Sequence, residues 1–223
     1  MGVALYTYNM DFIENTDNQE YWYIAGLLAA DGYISDECIE LSLWENDIDI
    51  IKKIRDIICP DKPIYTKKQS GAKVLKLNNR IMSAHFKDLF GMTSNQKHTE
   101  MTFPDVPSHY LNDFIRGYFD GDGTVDTTKA YQIVSGEKRI YQGVRVRILG
   151  NYDFLSKLNQ SIKEFVPNKT KAISKKGKEN VFVVTYNFST AQGIIEWFYK
   201  DSPSLYMKRK RNKATQIFSD LKI

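Results

Sequence analysis

Two copies of one pattern decide the fold of this chain: Ile24-Ala-Gly-Leu-Leu-Ala-Ala-Asp31-Gly32 and Ile115-Arg-Gly-Tyr-Phe-Asp-Gly-Asp122-Gly123. Each copy is apolar, contains small residues, and runs into an Asp-Gly pair followed by a stretch typical of a β-strand. The pattern predicts two similar helices, each of which ends at an aspartate. If the helices pack side by side, Asp31 and Asp122 come together, and adjacent carboxylates favour a bound metal ion.

The segments around the two motifs repeat one order of elements. Asp17 and Glu20 have the spacing of a capping box and predict the start of the first helix. The elements predicted after the first motif are a hairpin around Asp36-Glu37, a helix with an isoleucine stripe over 50–58, a hairpin that turns at Ser70-Gly71, and a helix over 80–90. Those predicted after the second motif are a longer hairpin over 124–149, a helix over 152–165, a hairpin over 169–187, and a helix over 189–199 followed by a basic tail.

This order predicts an α+β fold built from two αββαββα repeats. The first repeat covers residues 1–103, and the second covers residues 108–223, including the basic tail. The predicted linker, 104–107, begins and ends with proline, which favours an extended connection. Because a duplicated unit tends to pair about an approximate two-fold axis, we expect a monomer that acts as a pseudo-dimer.

The composition argues against several classes of protein. No apolar run reaches the roughly 18 residues that a membrane-spanning helix requires, and the N-terminus lacks the pattern of a secretory signal. Cys38 and Cys59 are isolated in the sequence, which argues against a zinc site or a disulfide framework. We therefore expect a protein that is not secreted, has no membrane partner, and works in the cytoplasm, or in an organelle if it is encoded there.

Charge is distributed unevenly along the chain. Residues 1–107 contain 11 Lys/Arg and 16 Asp/Glu, a net charge of −5. Residues 108–223 contain 20 Lys/Arg and 11 Asp/Glu, a net charge of +9. A basic half of this kind favours a polyanionic partner, with nucleic acid as the first candidate.

The residues inside the motifs predict both an interface and a chemistry. Glycine in a helix interior costs about 1 kcal/mol relative to alanine, so Gly26 and Gly117 indicate that two helix backbones approach closely. Asp31 and Asp122 stand at helix C-termini, where a negative charge is unfavourable by about 0.3–1 kcal/mol. A divalent cation offsets that cost, and Mg²⁺ usually takes a few carboxylates together with phosphate oxygens of the substrate. The motifs thus predict metal-dependent phosphoryl chemistry.

Both motifs resemble the LAGLIDADG motif of homing endonucleases, and the double copy resembles the single-chain, two-repeat members. The second copy, Phe119-Asp120-Gly121-Asp122-Gly123, is close to the family pattern, whereas the first has Ala29 in place of the earlier acid. In the family that earlier acid is not the metal ligand, so Asp31 and Asp122 are the expected ligands and Asp120 is not. The expected ion is Mg²⁺, or Mn²⁺ or Ca²⁺ at the same site.

The resemblance implies a site-specific endonuclease of intron homing that hydrolyses phosphodiesters in both strands of a long, asymmetric duplex DNA target. Two alternatives remain open at this point. One is an RNA maturase that assists group I intron splicing, with intron RNA as its partner. The other is a DNA-binding regulator that keeps the fold and does not cleave. Intact aspartates in both motifs argue against a purely degenerate binder.

In this family the strands form saddle-shaped sheets with helices on one face and DNA on the other. The alternation of Val144, Val146 and Ile148 with two arginines fits such a division. The candidate DNA contacts are polar and basic residues of the predicted hairpins: Lys67, Lys68, Gln69, Lys76, Gln132, Arg139, Gln142, Arg145 and Arg147, with Lys175 and Lys176 assigned to phosphates.

The resemblance also implies a lysine after the third helix of each repeat, directed toward the scissile phosphates. By that pattern Lys97 and Lys208 are the expected catalytic lysines, and Lys210 is an alternative to Lys208.

Overall fold

Residues 6–94, 100–167, 171–177 and 180–222 are described by a computed structural model of the chain. Their contacts divide the chain into two units. The first is Met1–Gly121 together with Ser204–Met207, and the second is Asp122–Pro203 together with Lys208–Ile223. The predicted boundary at 104–107 separates the sequence repeats, whereas this division follows packing.

The first unit is built around the first motif. Its elements are α1 (Asp11–Glu14), α2 (Gln19–Asp31), β1 (Gly32–Ile34), β2 (Ile39–Leu43), α3 (Ile48–Ile58), β3 (Ile64–Thr66), β4 (Lys73–Leu77), α4 (Arg80–Leu89) and α5 (Leu111–Asp122), whose last residue falls in the second unit. The strands form an antiparallel sheet in the order β1-β2-β4-β3, which we call the first sheet.

The apolar residues of these strands and helices, which follow strand alternation or helical periodicity, are buried in a common core. Along β2, Ile39, Leu41 and Leu43 are buried, while the residues between them are half-buried. Leu28 of α2, Leu41 and Ile54 of α3 line the same apolar space. The first helix is capped by Asn18, whose side chain accepts a hydrogen bond from the N–H of Glu20 at 2.7 Å. The predicted cap at Asp17 is therefore wrong by one residue, because Asn18 has the extended backbone that a cap requires.

The second unit repeats the same order of elements after its motif. They are β5 (Gly123–Val134), β6 (Glu137–Gly150), α6 (Tyr152–Phe165), β7 (Ile173–Lys175), β8 (Phe182–Asn187), α7 (Phe188–Tyr199) and α8 (Lys208–Leu221). The strands form an antiparallel sheet in the order β5-β6-β8-β7, which we call the second sheet. The predicted α+β class and the two repeats are confirmed.

The second unit differs from the first in the length of its first hairpin. β5 and β6 pair from Gly123 to Val134, whereas β8 pairs only with Arg145–Gly150 of β6. The hairpin thus extends past β8 as a two-stranded ribbon that turns at Ser135 and Gly136, both with positive φ. The predicted basic tail forms the helix α8, because Ala214 and Ile217 are buried on a helical spacing and α8 packs against β5 and β6.

Within the described ranges, no helix combines the length and apolar character needed to cross a membrane.

Candidate functional site

The first motif forms a helix that is buried on all sides. Every residue of α2 from Tyr21 to Ala30 is buried, as expected for a helix without a polar face. Asp31 is the last residue of α2 and is exposed. Asp122, the last residue of α5, is half-buried. Each motif therefore ends its helix with a carboxylate.

The backbones of α2 and α5 touch at the glycines of the two motifs. A Cβ atom on Gly26 would lie 2.0 Å from the carbonyl oxygen of Phe114, and one on Gly117 would lie 2.1 Å from that of Tyr23. Neither position has room for a side chain. A Cβ atom on Gly121 would lie 2.3 Å from the Cβ of Ala30 and 3.0 Å from Oδ2 of Asp31. The carboxylate of Asp31 thus lies against the backbone of the residue that precedes Asp122.

Asp120, the other acid of the second motif, is 1% exposed and serves the packing of this region. Its Oδ2 accepts one hydrogen bond from the hydroxyl of Tyr23 at 2.7 Å and one from the backbone N–H of Met207 at 2.7 Å. Asp120 therefore joins α2 and α5 to the segment Ser204–Met207, which we call the strap. Lys208 follows the strap directly as the first residue of α8.

Two further side chains of the first unit bind the backbone of the strap. Lys53 Nζ donates to the carbonyl oxygen of Ser204 at 2.8 Å, and Arg116 Nε donates to that of Leu205 at 3.2 Å. Arg116 is 2% exposed, and its guanidinium lies 5.4 Å from the ring centre of Tyr23. The strap is thus fixed to the first unit before the chain enters α8.

The donor chemistry at the two motifs fits a hard divalent cation. Carboxylate oxygens are ligands that Mg²⁺, Mn²⁺ and Ca²⁺ accept. Among the described residues, no group of three or more His, Cys, Asp and Glu side chains is arranged to hold a metal ion. Mg²⁺ beside phosphates usually keeps several water ligands and takes only one or two carboxylates from the protein, so one carboxylate at the end of each helix fits that kind of site.

The face of the second sheet that is turned away from its core carries a charged cluster. Val144, Val146 and Ile148 are fully buried, and the intervening Arg145 and Arg147 are half-buried on the other face. Both arginines bind Asp126 of β5. Arg145 donates from Nε and Nη2 at 2.7 and 2.9 Å, and Arg147 donates from Nη2 at 2.7 Å. These three residues are called the arginine cluster below.

Hydrogen bonds from Arg145 are the main reason why the pKa of Asp126 lies below its ordinary value; the nearby charge of Arg147 acts in the same direction. Burial opposes this effect and is smaller. The carboxylate therefore stays ionised at neutral pH, and the arginine cluster carries one net positive charge.

Comparisons with known proteins agree with this architecture. Residues 110–187 match the family model described as a LAGLIDADG-like domain. The structure of the I-LtrWI LAGLIDADG homing endonuclease bound to target DNA is 15% identical in sequence, with a TM-score of 0.61 and 92% of each chain covered. The chain therefore contains a LAGLIDADG-like domain, and its fold is that of a two-repeat LAGLIDADG endonuclease.

Two further solved structures share the fold of this LAGLIDADG protein. Meganuclease I-SmaMI bound to uncleaveable DNA is 11% identical with a TM-score of 0.61, and 89% of this chain and 88% of that chain are covered. Meganuclease I-AabMI bound to uncleaved DNA is 12% identical with a TM-score of 0.60, and the coverage is 92% and 90%.

Two curated relatives come from Methanocaldococcus jannaschii. A probable translation initiation factor IF-2 is 22% identical over 210 residues, which are 90% of this chain and 17% of the relative. A reverse gyrase is 32% identical over 106 residues, which are 48% of this chain and 6% of the relative. The LAGLIDADG protein thus spans less than one fifth of either relative, and neither name assigns it an activity.

The structure places the candidate DNA contacts of the LAGLIDADG protein on both sheets. On the first sheet, Lys67 is exposed and forms an ion pair with Glu40 at 2.7 Å. Lys76 of β4 lies directly opposite Glu40 in the register. Lys68 and Gln69 are exposed in the loop between β3 and β4. The sequence reasoning missed Glu40 as a partner of this basic group, although its place in the alternation of β2 put it on the face opposite the core.

On the second sheet, strand alternation divides the candidate DNA contacts between the two faces. Arg139 has the same parity along β6 as Arg145 and Arg147, and it lies opposite Gln132 on the exposed ribbon. Gln142 has the other parity and lies opposite Lys129, so it belongs to the opposite face. Lys175 and Lys176 are exposed at the end of β7. The structure thus brings Gln132, Arg139, Arg145 and Arg147 to one face and leaves Gln142 off it.

The candidate lysines of the LAGLIDADG protein differ in their surroundings. Lys97 lies outside the described residues. Lys208 is exposed at the start of α8. Lys210 is 5% exposed and its Nζ donates to the carbonyl oxygen of Gly123, the residue after Asp122. Lys210 is therefore buried and bound to the backbone, whereas Lys208 is exposed.

Proposed function

We propose that this LAGLIDADG protein is a site-specific endonuclease that cleaves both strands of a long, asymmetric duplex DNA with the help of a divalent cation. The observation that carries the proposal is that two glycine-bearing helices each end in an aspartate. Asp31 ends α2 and Asp122 ends α5, at corresponding positions of the two repeats. A carboxylate at a helix C-terminus is unfavourable without a compensating charge, and one such position in each repeat supports one catalytic carboxylate for each DNA strand.

The DNA part of the proposal is supported by charge and by sheet geometry. Residues 108–223 carry a net charge of +9, and the second sheet presents basic residues on the face opposite its core. A two-stranded β-ribbon fits the major groove of B-DNA, and β5 and β6 form such a ribbon beyond β8. The three solved structures named above hold DNA, and a related I-SmaMI structure is that of the protein bound to uncleaved target DNA in the presence of calcium ions.

In the proposed mechanism, Asp31 and Asp122 would each offer carboxylate oxygens to a divalent cation, which would be Mg²⁺, or Mn²⁺ or Ca²⁺ in its place. The chemistry that such a cation would supply is a lowered pKa of a bound water molecule and stabilisation of negative charge on the phosphate. The ammonium of Lys208 adds positive charge near the scissile phosphate, and Lys97 has the same role in the first repeat. The two sheets hold the duplex in register while the carboxylates keep their positions at the helix ends.

Cleavage of a randomised duplex DNA library tests this function, because it requires no knowledge of the target. The protein is incubated with the library with and without Mg²⁺, and the cut ends are sequenced. We expect cut ends that share one asymmetric sequence and that appear only with the cation. No cation-dependent cutting of any sequence would contradict the proposal.

Two variants and a control separate catalysis from binding. Asp31→Asn and Asp122→Asn are expected to abolish double-strand cleavage and to retain DNA binding, because each substitution keeps the size of the side chain and removes its charge. Asp105→Asn removes the same charge from an exposed position of the first unit and should cut like the wild type. If binding is lost together with cutting, the two aspartates are structural. If the protein binds intron RNA and cuts no DNA, the maturase alternative replaces the proposal.

A further inference from the structure

We propose that Asp126 is a specificity-determining residue, which fixes Arg145 so that its guanidinium reads a guanine in the major groove. The inference rests on the proposed function, because it requires the face of the second sheet that carries the arginine cluster to contact duplex DNA. Asp126 was absent from the residues predicted to bind DNA, and an acid on a DNA-binding face needs a reason, since phosphates repel it.

Asp126 holds Arg145 through a bidentate ion pair. The two residues are directly opposite each other in the β5–β6 register. Nε and Nη2 of Arg145 donate to the two carboxylate oxygens at 2.7 and 2.9 Å, so the pair is bidentate. Bidentate pairs of this kind fix the orientation as well as the position of a guanidinium. The side chain of Arg145 is therefore aligned before any ligand arrives.

The pairing with Asp126 uses only part of the N–H groups of the Arg145 guanidinium. A guanidinium has five N–H donors, and the carboxylate of Asp126 uses one from Nε and one from Nη2. Within the described ranges, the side chain of Arg145 makes no other hydrogen bond. The Nη1–Nη2 edge thus keeps two parallel donors, which match O6 and N7 of guanine. The side chain of Arg145 is 31% exposed, so it is partly accessible from solvent.

The hydrogen-bonding groups of the arginine cluster fit guanine rather than cytosine. A carboxylate can accept a hydrogen bond from N4 of cytosine. Here both oxygens of Asp126 already accept from guanidinium groups, because Arg147 Nη2 also donates to Oδ2 at 2.7 Å. The net charge of the arginine cluster is positive, so the cluster attracts DNA. The available donors therefore belong to the arginines, and the base they select is guanine.

Binding selection from a randomised duplex library tests the inference with the full chain. The library is incubated in EDTA, so that no cutting occurs, and the bound fraction is sequenced. We expect the wild type to enrich guanine by about fivefold or more at a position that depends on Arg145. Arg145→Lys keeps the charge and loses the planar fork, and it should lose this enrichment. D126N should lose the enrichment at the same position, since the amide no longer aligns Arg145.

The matched control is Glu137→Gln, at the start of β6. It removes one negative charge from the same ribbon, and Glu137 is exposed and far from Arg145 along the strand. It should keep the guanine preference of the wild type. Circular dichroism is used to check whether each variant is folded. If D126N does not fold, D126E takes its place, because the extra methylene displaces the carboxylate and should cause the same loss.

The inference is overturned if D126N, or D126E in its place, keeps the guanine preference at every position. A loss that E137Q shares also overturns it, because the effect would then report only a change in charge. A wild type that binds duplex DNA but has no guanine position sensitive to R145K overturns this inference and leaves the proposed function intact. A wild type that binds no duplex DNA overturns both.

Discussion

The carboxylate of Asp120 accepts a hydrogen bond from the backbone N–H of Met207 at 2.7 Å, although 87 residues separate the two in the sequence. The same oxygen accepts a hydrogen bond from the hydroxyl of Tyr23. Asp120 is thereby a buried acid with a positioning role: it holds the strap, and the strap leads directly to Lys208.

Asp120→Ala should destabilise the protein because it removes both hydrogen bonds and leaves the Met207 N–H without its acceptor. Loss of a hydrogen bond that leaves a buried donor unsatisfied costs about 1–3 kcal/mol, so we expect the free energy of unfolding in urea to fall by about 3 kcal/mol. Tyr23→Phe, which removes one of the two bonds, should cost about half as much. Equal stability of the wild type and Asp120→Ala would contradict this role.

Gly26→Ala and Gly117→Ala should be among the most damaging single-methyl additions in the chain. Each new Cβ would meet a backbone carbonyl oxygen at 2.0 or 2.1 Å, and backbone cannot move aside as a side chain can. We expect a loss of at least about 3 kcal/mol in unfolding free energy, or insoluble protein. Gly193→Ala in α7 is the control, since its Cβ would lie 3.1 Å from Cγ1 of Val166. Its effect should be within about 1 kcal/mol, and similar losses at all three positions would refute the close contact.

Substitution of Lys208 should slow cleavage, whereas substitution of Lys210 should lower stability. Lys208→Met is expected to keep the urea midpoint of the wild type and to slow cleavage by about 10²-fold or more, because it removes charge stabilisation from the reacting phosphate. Lys210→Met should lower the midpoint, because Lys210 is buried and binds the carbonyl oxygen of Gly123. If Lys210→Met is as stable as the wild type and alone abolishes cutting, the two assignments must be exchanged.

Acid should weaken the second unit partly through Asp126. Because the pKa of Asp126 is lowered in the folded protein, its ionised form favours folding. This contribution is complete above the ordinary aspartate pKa, about 4, and it is lost as the pH falls through the lowered value. Urea midpoints at about pH 7 and about pH 3 should therefore differ less in D126N than in the wild type. An identical difference would show that the arginine cluster does not contribute to stability.

Local patterns were enough to predict most of the fold. The apolar motifs predict α2 and α5, and the alternation of Val144, Val146 and Ile148 predicts the buried face of β6. Ser135-Gly136 marks the turn of the β5–β6 hairpin. These features depend on residues that are close in sequence, where backbone preference and periodicity act directly.

The parts that sequence reasoning missed depend on partners that are distant in sequence. Asp126 lies opposite Arg145 only because the hairpin turns at 135–136, and that register could have revealed the pair. No local pattern indicates that Asp120 binds Met207, because the strap has no periodicity of its own. The basic segment after Met207 reads as a tail because its many charges outnumber the buried apolar residues, Ala214 and Ile217, that fix α8.

The strap has a consequence for any attempt to divide this protein. By packing, the first unit takes in almost all of α5 and four residues from near the other end of the chain. A gene cut at the proline linker would leave the first repeat without the helix that covers Gly26 and without the strap that Lys53 and Arg116 hold. The first repeat is therefore not a separable part, so domain exchange with another two-repeat protein would have to transfer α5 and Ser204–Met207 with it.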